Sequence, residues 1–142
     1  MRSFAAIVVA AIIAILPAGA ADAASLVARV SLATQTMTVS HNGKVIYRWP
    51  VSTARKGKIT PTGQWSAKWL SKNHRSSRYE NAPMPYAIFY NGHYAVHGTY
   101  QVNRLGRPAS AGCVRLHPEH AARLFALTQR VGLKQTRIIV QR

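Results

Sequence analysis

Apolar and polar residues alternate along much of the chain after residue 25, with the two-residue period of β-strands that bury one face. The alternation runs through residues 26–32 and 37–39 and resumes in residues 45–51. The dipeptide Asn42-Gly43 separates the last two segments, and Asn-Gly in that position is a strong signal for a β-hairpin. The sequence therefore predicts adjoining antiparallel strands in a sheet with one buried face.

The rest of the chain predicts further strands and one clear helix. We expect a strand over residues 64–70, a long exposed loop over residues 71–85, a hairpin about Asn91-Gly92 built from residues 86–90 and 94–97, and a closing strand over residues 136–140. Only residues 118–131 follow a period near 3.6 residues, between Pro118 at the start and Gly132 at the end. The predicted fold is mainly β with one or two helices.

The N-terminal residues have a different pattern. Residues 1–3 carry a positive charge, residues 4–16 are apolar, and residues 17–24 are mostly small. That order is typical of a secretory signal peptide. A helix of thirteen apolar residues would extend only about 20 Å, less than the hydrocarbon core of a bilayer, so a spanning anchor is the less favoured interpretation.

We therefore predict that residues 1–24 are a signal peptide, with cleavage after Ala20, Ala23 or Ala24, and that residues 25–142 form one domain. The protein is then expected to cross the inner membrane and to reside in the periplasm or the cell envelope. There is no internal repeat and no low-complexity linker that would divide the mature region.

The net charge of the chain limits the classes of partner that we expect. Nineteen lysines and arginines face three acidic residues, which gives a net charge of +16. A field of this size attracts polyanions. A secreted protein meets acidic lipid headgroups, anionic polysaccharide and peptide carboxylates, so we expect no nucleic-acid partner and a peripheral association with the envelope through this charge.

The chemistry centres on the single cysteine of the chain, Cys113. No intramolecular disulfide is possible, so a thiol kept in an oxidising compartment is either buried and inert or retained because it reacts. Small residues precede Cys113, and His97 lies sixteen residues before it. An imidazole within hydrogen-bond reach would lower the pKa of the thiol and form a thiolate–imidazolium pair.

Neighbouring residues supply the other parts of a cysteine acyl-transfer site. A backbone carbonyl near Gly98 would orient the second ring nitrogen of His97, since acidic residues are scarce. The backbone N–H groups of Gly112 and Cys113 would bind an oxyanion. Arg115 could bind a substrate carboxylate through a forked, charge-assisted pair.

Four ordered motifs resemble those of one enzyme family. They are Ile59-Thr60-Pro61-Thr62-Gly63, Met84-Pro85-Tyr86, His97-Gly98-Thr99, and Leu105-Gly106 followed by Ser110-Ala111-Gly112-Cys113-Val114-Arg115-Leu116. In this order they resemble the L,D-transpeptidase (YkuD-like) catalytic domain. The resemblance covers nearly all of residues 25–142 and implies a β-sandwich-like fold.

The resemblance also implies roles for individual residues. It places the nucleophile at Cys113, the base at His97 and the orienting carbonyl at Gly98. Ser110, Gly112 and Arg115 match positions that shape the oxyanion and substrate-binding region. We add two residues to the predicted substrate-binding set, Thr99 and Tyr86. One departure is Ala111, where many members have histidine.

The activity implied is peptidoglycan cross-linking, with stem peptides as donor and acceptor. The Cys113 thiolate would attack the third-residue carbonyl of a tetrapeptide stem, release the terminal D-alanine, and pass the acyl group to an amine. An envelope lipoprotein lysine or water could replace the stem amine, giving an anchoring transferase or an L,D-carboxypeptidase. No cofactor is expected, and no metal site, because the His117/His120 pair has too few other ligands nearby.

Two non-enzymatic alternatives remain. The first is a binding module for anionic wall polymer, in which Cys113 is structural. The second is a cationic protein that acts on membranes, which the ordered strand pattern supports poorly.

Overall fold

The computed structural model describes residues 3, 5–12 and 24–142. Most of the predicted signal peptide, including Ala20 and Ala23, lies outside the described residues. In the part that is described, no helix has the length and apolar character needed to span a membrane.

Strands account for most of the regular structure. They are β1 (Leu26–Ser31), β2 (Thr36–His41), β3 (Lys44–Pro50), β4 (Gly63–Ser66), β5 (Trp69–Arg75), β6 (Pro83–Asn91), β7 (Tyr94–Gly98), β8 (Val114–Leu116) and β9 (Thr136–Gln141). The α-helix is α1 (Pro118–Val131), and short 3-10 turns cover Val102–Arg104 and Leu133–Gln135.

The strands form two sheets that share one hydrophobic core. The first sheet has the order β3-β2-β1-β9-β4 and the second the order β5-β6-β7-β8. Within them β1 runs parallel to β9 and β7 runs parallel to β8, while the other neighbours are antiparallel. Buried residues of both sheets and of α1 belong to one cluster, as in a sandwich. The predicted mainly β, sandwich-like fold is confirmed.

The turn and helix-end residues identified in the sequence form the predicted turn and helix ends in the structure. Asn42 and Gly43 both have positive φ, 50° and 80°, which suits a two-residue hairpin turn between β2 and β3. Pro118 begins α1, and Gly132 ends it with a φ of 96° and an N–H that donates to the Thr128 carbonyl. The predicted hairpins, helix and closing strand are therefore confirmed.

The prediction of one strand over residues 64–70 is wrong, because the chain changes sheets within it. Residues up to Ser66 pair with β9 in the first sheet, and residues from Trp69 pair with β6 in the second. At the crossing, the Ala67 N–H donates to Thr136 and the Lys68 N–H donates to Phe89. A continuous alternating pattern does not reveal such a transfer between sheets.

The predicted loop over residues 71–85 is also wrong in extent. Its first five residues complete β5 and its last three begin β6, so the loop covers only residues 76–82. β5 is an edge strand, and edge strands carry polar side chains that conceal the strand pattern. Pro83 and Pro85 pair with β5, whereas pairing of β6 with β7 starts only at Ile88. The two prolines therefore lie where β6 has a neighbouring strand on one side only, and a residue without a backbone N–H is tolerated there.

Candidate active site

Cys113 lies immediately before β8, on the outer face of the second sheet. The parallel register pairs Val96 with Val114 and His97 with Arg115, which places Cys113 beside Ala95. Val96 and Val114 face the main core. Since side chains alternate along strands, Cys113, His97 and Arg115 share the opposite face.

The thiol is partly sheltered but reachable. Cys113 packs against a small buried cluster on the outer face, formed by Met84, Ala87, Phe89 and Ala95. It also lines a cleft of about 640 Å³, together with His97 and Arg115. The Sγ atom donates to the carbonyl oxygen of His93 across 3.8 Å, so the sulfur is held at the wall of an accessible cleft.

His97 is held in one tautomer. The side chain is 5% exposed, and its Nδ1 lies 2.6 Å from the carbonyl oxygen of Gly98. Because that oxygen only accepts hydrogen bonds, Nδ1 must carry the proton. In the neutral ring Nε2 is then an acceptor, which equips His97 to take a proton within the cleft.

The ionisation of this pair differs from the sequence-based expectation. Burial lowers the pKa of His97 to about 4, although its hydrogen bond to Gly98 acts in the opposite direction. Burial also raises the pKa of the Cys113 thiol, against the smaller lowering effects of the Ala95 backbone and of Arg115. A neutral thiol and a neutral imidazole are therefore favoured at neutral pH. The predicted thiolate–imidazolium pair is corrected, because the spacing of residues does not reveal desolvation.

Ser110 organises the loop that carries the cysteine. Its hydroxyl accepts the N–H of Gly112 at 3.0 Å and donates to the carbonyl of Cys113 at 2.7 Å. The Gly112 N–H is thereby occupied, which corrects the expectation that it would bind an oxyanion. Of the predicted pair of donors, the N–H of Cys113 remains the candidate.

A buried threonine braces the same loop from the other side. The Thr60 hydroxyl donates to the carbonyl of Gly112 at 2.8 Å and accepts the N–H of Ala54 at 3.0 Å. The carbonyl of Thr53 accepts the N–H of Ser110 at 2.9 Å. Sequence reasoning gave Thr60 no role, although a threonine in a motif-like turn was the available signal.

Gly112 allows this loop to pack closely. Its φ is +140°, and a Cβ there would lie 2.8 Å from Tyr94 Cε1 and 2.9 Å from the carbonyl oxygen of Ile59. We expect Gly112→Ala to displace the cysteine loop and to lower the free energy of unfolding by about 1–3 kcal/mol. Thermal unfolding and the alkylation rate of Cys113 measure the two effects.

Gly106→Ala is the matched control for this variant. Gly106 also has a left-handed φ, +90°, but a Cβ there meets nothing within 4 Å. Both variants carry backbone strain, whereas only Gly112→Ala adds a clash. Equal losses of stability and of alkylation rate would contradict the close packing at Gly112.

Arg115 and Thr99 both line the cleft. Nη1 of Arg115 donates to Oε1 of Gln101 at 3.2 Å, and the Thr99 hydroxyl accepts the N–H of Gln101 at 3.1 Å. Thr99 thus holds the turn whose glutamine orients the guanidinium. Gln101 is a site residue that sequence reasoning missed.

Tyr86 does not line the cleft, so its predicted role in binding substrate is corrected. Its backbone has a left-handed φ of 54°, and its ring packs against the main core. The ring lies edge-on to Phe125 of α1, with 5.5 Å between centroids, and the Lys72 ammonium lies 5.9 Å from its centre. Tyr86 shares one face of β6 with Ile88 and Tyr90, which belong to the main core, so strand alternation itself points the ring away from the cleft.

The loop over residues 76–82 and residues near it also line the cleft. Nη1 of Arg78 lies 3.2 Å from Nδ1 of His93. His74 also lines the cleft and packs edge-on against Phe89. Among the described residues, no group of three or more histidine, cysteine or acidic side chains is arranged to hold a metal ion.

Comparisons with known proteins bear on the family to which the chain belongs. Residues 25–140 match the family model YkuD, the L,D-transpeptidase catalytic domain. A protein of Bacillus subtilis (strain 168) named as the L,D-transpeptidase YkuD is 26% identical over 102 residues, which cover 69% of this chain and 57% of that protein.

Solved structures give the same result. The L,D-transpeptidase LdtMt1, in complex with imipenem, matches with a TM-score of 0.73 and 27% identity, over 82% of this chain and 59% of that one. An L,D-transpeptidase from Stackebrandtia nassauensis matches with a TM-score of 0.71 and 26% identity, over 83% of this chain and 56% of that one. The chain therefore spans less than two thirds of these relatives. The match over residues 25–140, with the shared fold, shows that the chain belongs to the YkuD family of L,D-transpeptidase catalytic domains.

Proposed function

We propose that this protein cross-links peptidoglycan stem peptides through a thioester on Cys113. One observation carries the proposal: the thiol of Cys113 and the imidazole of His97 line the same cleft. The imidazole is held in place because its Nδ1–H donates to the carbonyl of Gly98. A thiol and a neutral base that open onto the same cleft are the two groups that acyl transfer requires. The family membership supports the choice of peptidoglycan as substrate.

The first half-reaction forms the acyl-enzyme. Nε2 of His97 takes the thiol proton as the sulfur of Cys113 bonds to the third-residue carbonyl carbon of a tetrapeptide stem. The carbon–nitrogen bond to the terminal D-alanine then breaks, and the proton on His97 passes to the departing amine. A base with a low pKa and a thiol with a raised pKa exchange this proton only as the new bond forms, so the transfer accompanies the attack.

The second half-reaction consumes the thioester. An amine of a neighbouring stem attacks the same carbonyl carbon, His97 accepts the amine proton, and the sulfur leaves and regains a proton. Water in place of the amine would give carboxypeptidase activity, and a lysine of an envelope lipoprotein would give an anchored protein. With the proposed signal peptide removed, the enzyme would act in the periplasm or the cell envelope.

The test is an incubation with purified disaccharide tetrapeptide, followed by intact-protein and muropeptide mass spectrometry. We expect an acylated protein, free D-alanine and cross-linked dimers. Because Cys113 is the single cysteine of the chain, protein alkylated beforehand with iodoacetamide is a matched control without any mutation. Unchanged muropeptides with folded, unalkylated protein would refute transpeptidation, and trimmed monomers alone would favour the carboxypeptidase.

Arg115 is expected to bind a carboxylate of the donor. Its half-buried guanidinium lines the cleft and has the neutral Gln101 as its side-chain partner. We expect Arg115→Ala to lower kcat/KM for a donor with a free terminal carboxylate about tenfold to a hundredfold more than for its amide, since charge-assisted hydrogen bonds are lost only with the former.

Arg48→Ala is the control for this comparison, since it removes one positive charge from an exposed position on β3 in the other sheet. The control should affect both donors equally. Equal losses of kcat/KM on the two donors in Arg115→Ala would remove the carboxylate-binding role.

A further inference from the structure

Trp69 is the tryptophan whose ring is most open to solvent. Trp49 is buried in the main core and Trp65 is partly buried against it, whereas Trp69 is 46% exposed. Trp69 begins β5, an edge strand of the second sheet. Because single exposed apolar side chains are common, the surroundings of this ring decide what it can do.

One face of the Trp69 ring is covered and the other is open. Phe89 stacks against it in parallel, with 4.0 Å between centroids and 3° between planes. The His74 ring stands edge-on to this stack, 4.9 Å from Phe89 and 5.6 Å from Trp69, so it lies on the Phe89 side of the indole. In the described part of the chain no third ring packs on Trp69, and its outward face is a flat apolar surface in a fixed orientation.

Strand register joins this ring to the candidate nucleophile. Trp69 pairs with Phe89, Phe89 pairs with Ala95, and Ala95 lies beside Cys113. The four residues thus form a row across the outer face of the second sheet. Three spacings of about 4.8 Å between strands place Trp69 about 14 Å from Cys113. Its ring partners Phe89 and His74 line the cleft that contains the thiol, so Trp69 lies at the rim of that cleft.

The donor of the proposed reaction has a sugar at a similar distance. At about 3.5 Å for each extended residue, the three stem residues that end at the reacting carbonyl span roughly 10 Å, and the group that joins them to the sugar adds to this. With the terminal carboxylate at Arg115, the rest of the stem leaves the thiol in another direction. β8 is an edge strand, so the outer face of the sheet continues from Cys113 only toward β7, β6 and β5.

The chemistry of the open ring also suits a sugar. A pyranose presents C–H groups on one face and hydroxyl groups around its rim. The C–H face can pack on the electron-rich face of an indole, which buries apolar surface of both rings. Polar groups lie beside the stack, because Nδ1 of His74 is 3.2 Å from the hydroxyl oxygen of Ser71. A flat apolar ring with polar neighbours matches a ligand that has both kinds of surface.

We propose that Trp69 is a stacking platform for the sugar ring to which the donor stem is attached. Phe89 and His74 hold this platform in place. The inference rests on the proposed function for the attachment of a sugar to the donor. It goes beyond that function in assigning glycan binding to a residue outside the motifs, and it implies that stems on a glycan bind better than free stem peptides.

Binding to Cys113→Ala protein tests the platform without turnover. Calorimetry would compare a disaccharide tetrapeptide with the same tetrapeptide carrying an N-acetyl group in place of the sugars. We expect the disaccharide ligand to bind about tenfold more tightly. Trp69→Leu, in the same background, should remove this preference and leave the affinity for the acetylated peptide within about twofold. Trp69→Tyr keeps a flat ring and should retain most of the preference.

Tyr47→Leu is the matched control, since Tyr47 is also an aromatic residue of an edge strand and stacks on a second ring, that of Trp49, in the other sheet. It should leave the preference unchanged, with folding of every variant checked by thermal unfolding.

Three results would overturn the platform. They are equal affinity of the Cys113→Ala protein for both ligands, equal weakening of both ligands by Trp69→Leu, and loss of the preference in Trp69→Tyr as complete as in Trp69→Leu. Failure of the proposed function is separate, since it would appear as wild-type protein that forms no acyl adduct on Cys113. A preference for the disaccharide ligand that depends on Trp69 would still stand in that case, because it is measured without catalysis.

Discussion

Replacing Cys113 with alanine is expected to abolish D-alanine release and acyl-enzyme formation while leaving the fold intact. The side chain supplies the only thiol of the chain, and it is only partly buried at the cleft wall, so its removal leaves little cavity. Loss of the nucleophile in a covalent mechanism costs several orders of magnitude in rate. Intact mass after incubation with imipenem, which a relative binds, and thermal unfolding measure the two expectations.

Cys113→Ser separates the nucleophile from its surroundings. A hydroxyl is nearly isosteric with the thiol but far harder to deprotonate, and His97, with a pKa of about 4, is too weak a base to compensate. We expect a rate indistinguishable from that of the alanine variant. An imipenem adduct on the Cys113→Ala protein, or turnover by either variant above a hundredth of the wild-type rate, would contradict thioester chemistry at this position.

The positions that sequence reasoning assigned correctly carry strong local signals. Asn42-Gly43 needs two left-handed residues, and Pro118 with Gly132 brackets a helical period, so each is decided by a few neighbouring residues. The motif around Cys113 likewise predicts the nucleophile from a few neighbouring residues, and that role stays a prediction. Such features need no knowledge of the rest of the fold.

What the sequence did not predict depends on distant packing. The transfer of the chain between sheets at Ala67 requires the carbonyl of Thr136, which is far away in sequence. Thr60 holds Gly112 across fifty-two positions, and the ring of Tyr86 packs against Phe125 of α1 rather than facing the cleft. None of these contacts produces a periodic pattern of apolar and polar residues from which it could be predicted.

The difference between the expected and the observed ionisation of His97 and Cys113 also arises from packing that the sequence does not reveal. A histidine and a cysteine at suitable spacing suggest an ion pair. The sequence shows that the two side chains can ionise and can meet, but it does not show whether the fold removes water from them. In the folded chain both groups lose water, and the interactions that favour their charged forms, the hydrogen bond of His97 to Gly98 and the effects of Ala95 and Arg115 on Cys113, do not offset that loss. A neutral thiol and a neutral imidazole are consistent with the proposed mechanism, in which the proton moves as the sulfur attacks.

Substitution of His97 with glutamine is expected to slow acylation of Cys113 by about 10²–10⁴-fold. Glutamine can keep a hydrogen bond to Gly98 but accepts no proton. In the wild-type protein the base is lost only as the pH falls through about 4, because burial holds the pKa of His97 there, so the acylation rate should decline below about pH 5. In the variant that acidic limb should disappear, and the rate should instead rise with pH as the thiol ionises toward its raised pKa.

His41→Gln is the matched control, since it makes the same substitution at a histidine of β2 in the other sheet. It should keep the wild-type rate and the acidic limb near pH 4. The measurement is the rate of imipenem acylation by intact mass between about pH 3.5 and 9, with folding checked at each pH by circular dichroism. An acidic limb near pH 6.5 in the wild type would mean that His97 is solvated as in a free peptide. An acidic limb that persists in His97→Gln would assign the base to another group, because replacing the group that accepts the proton removes its titration from the pH–rate profile.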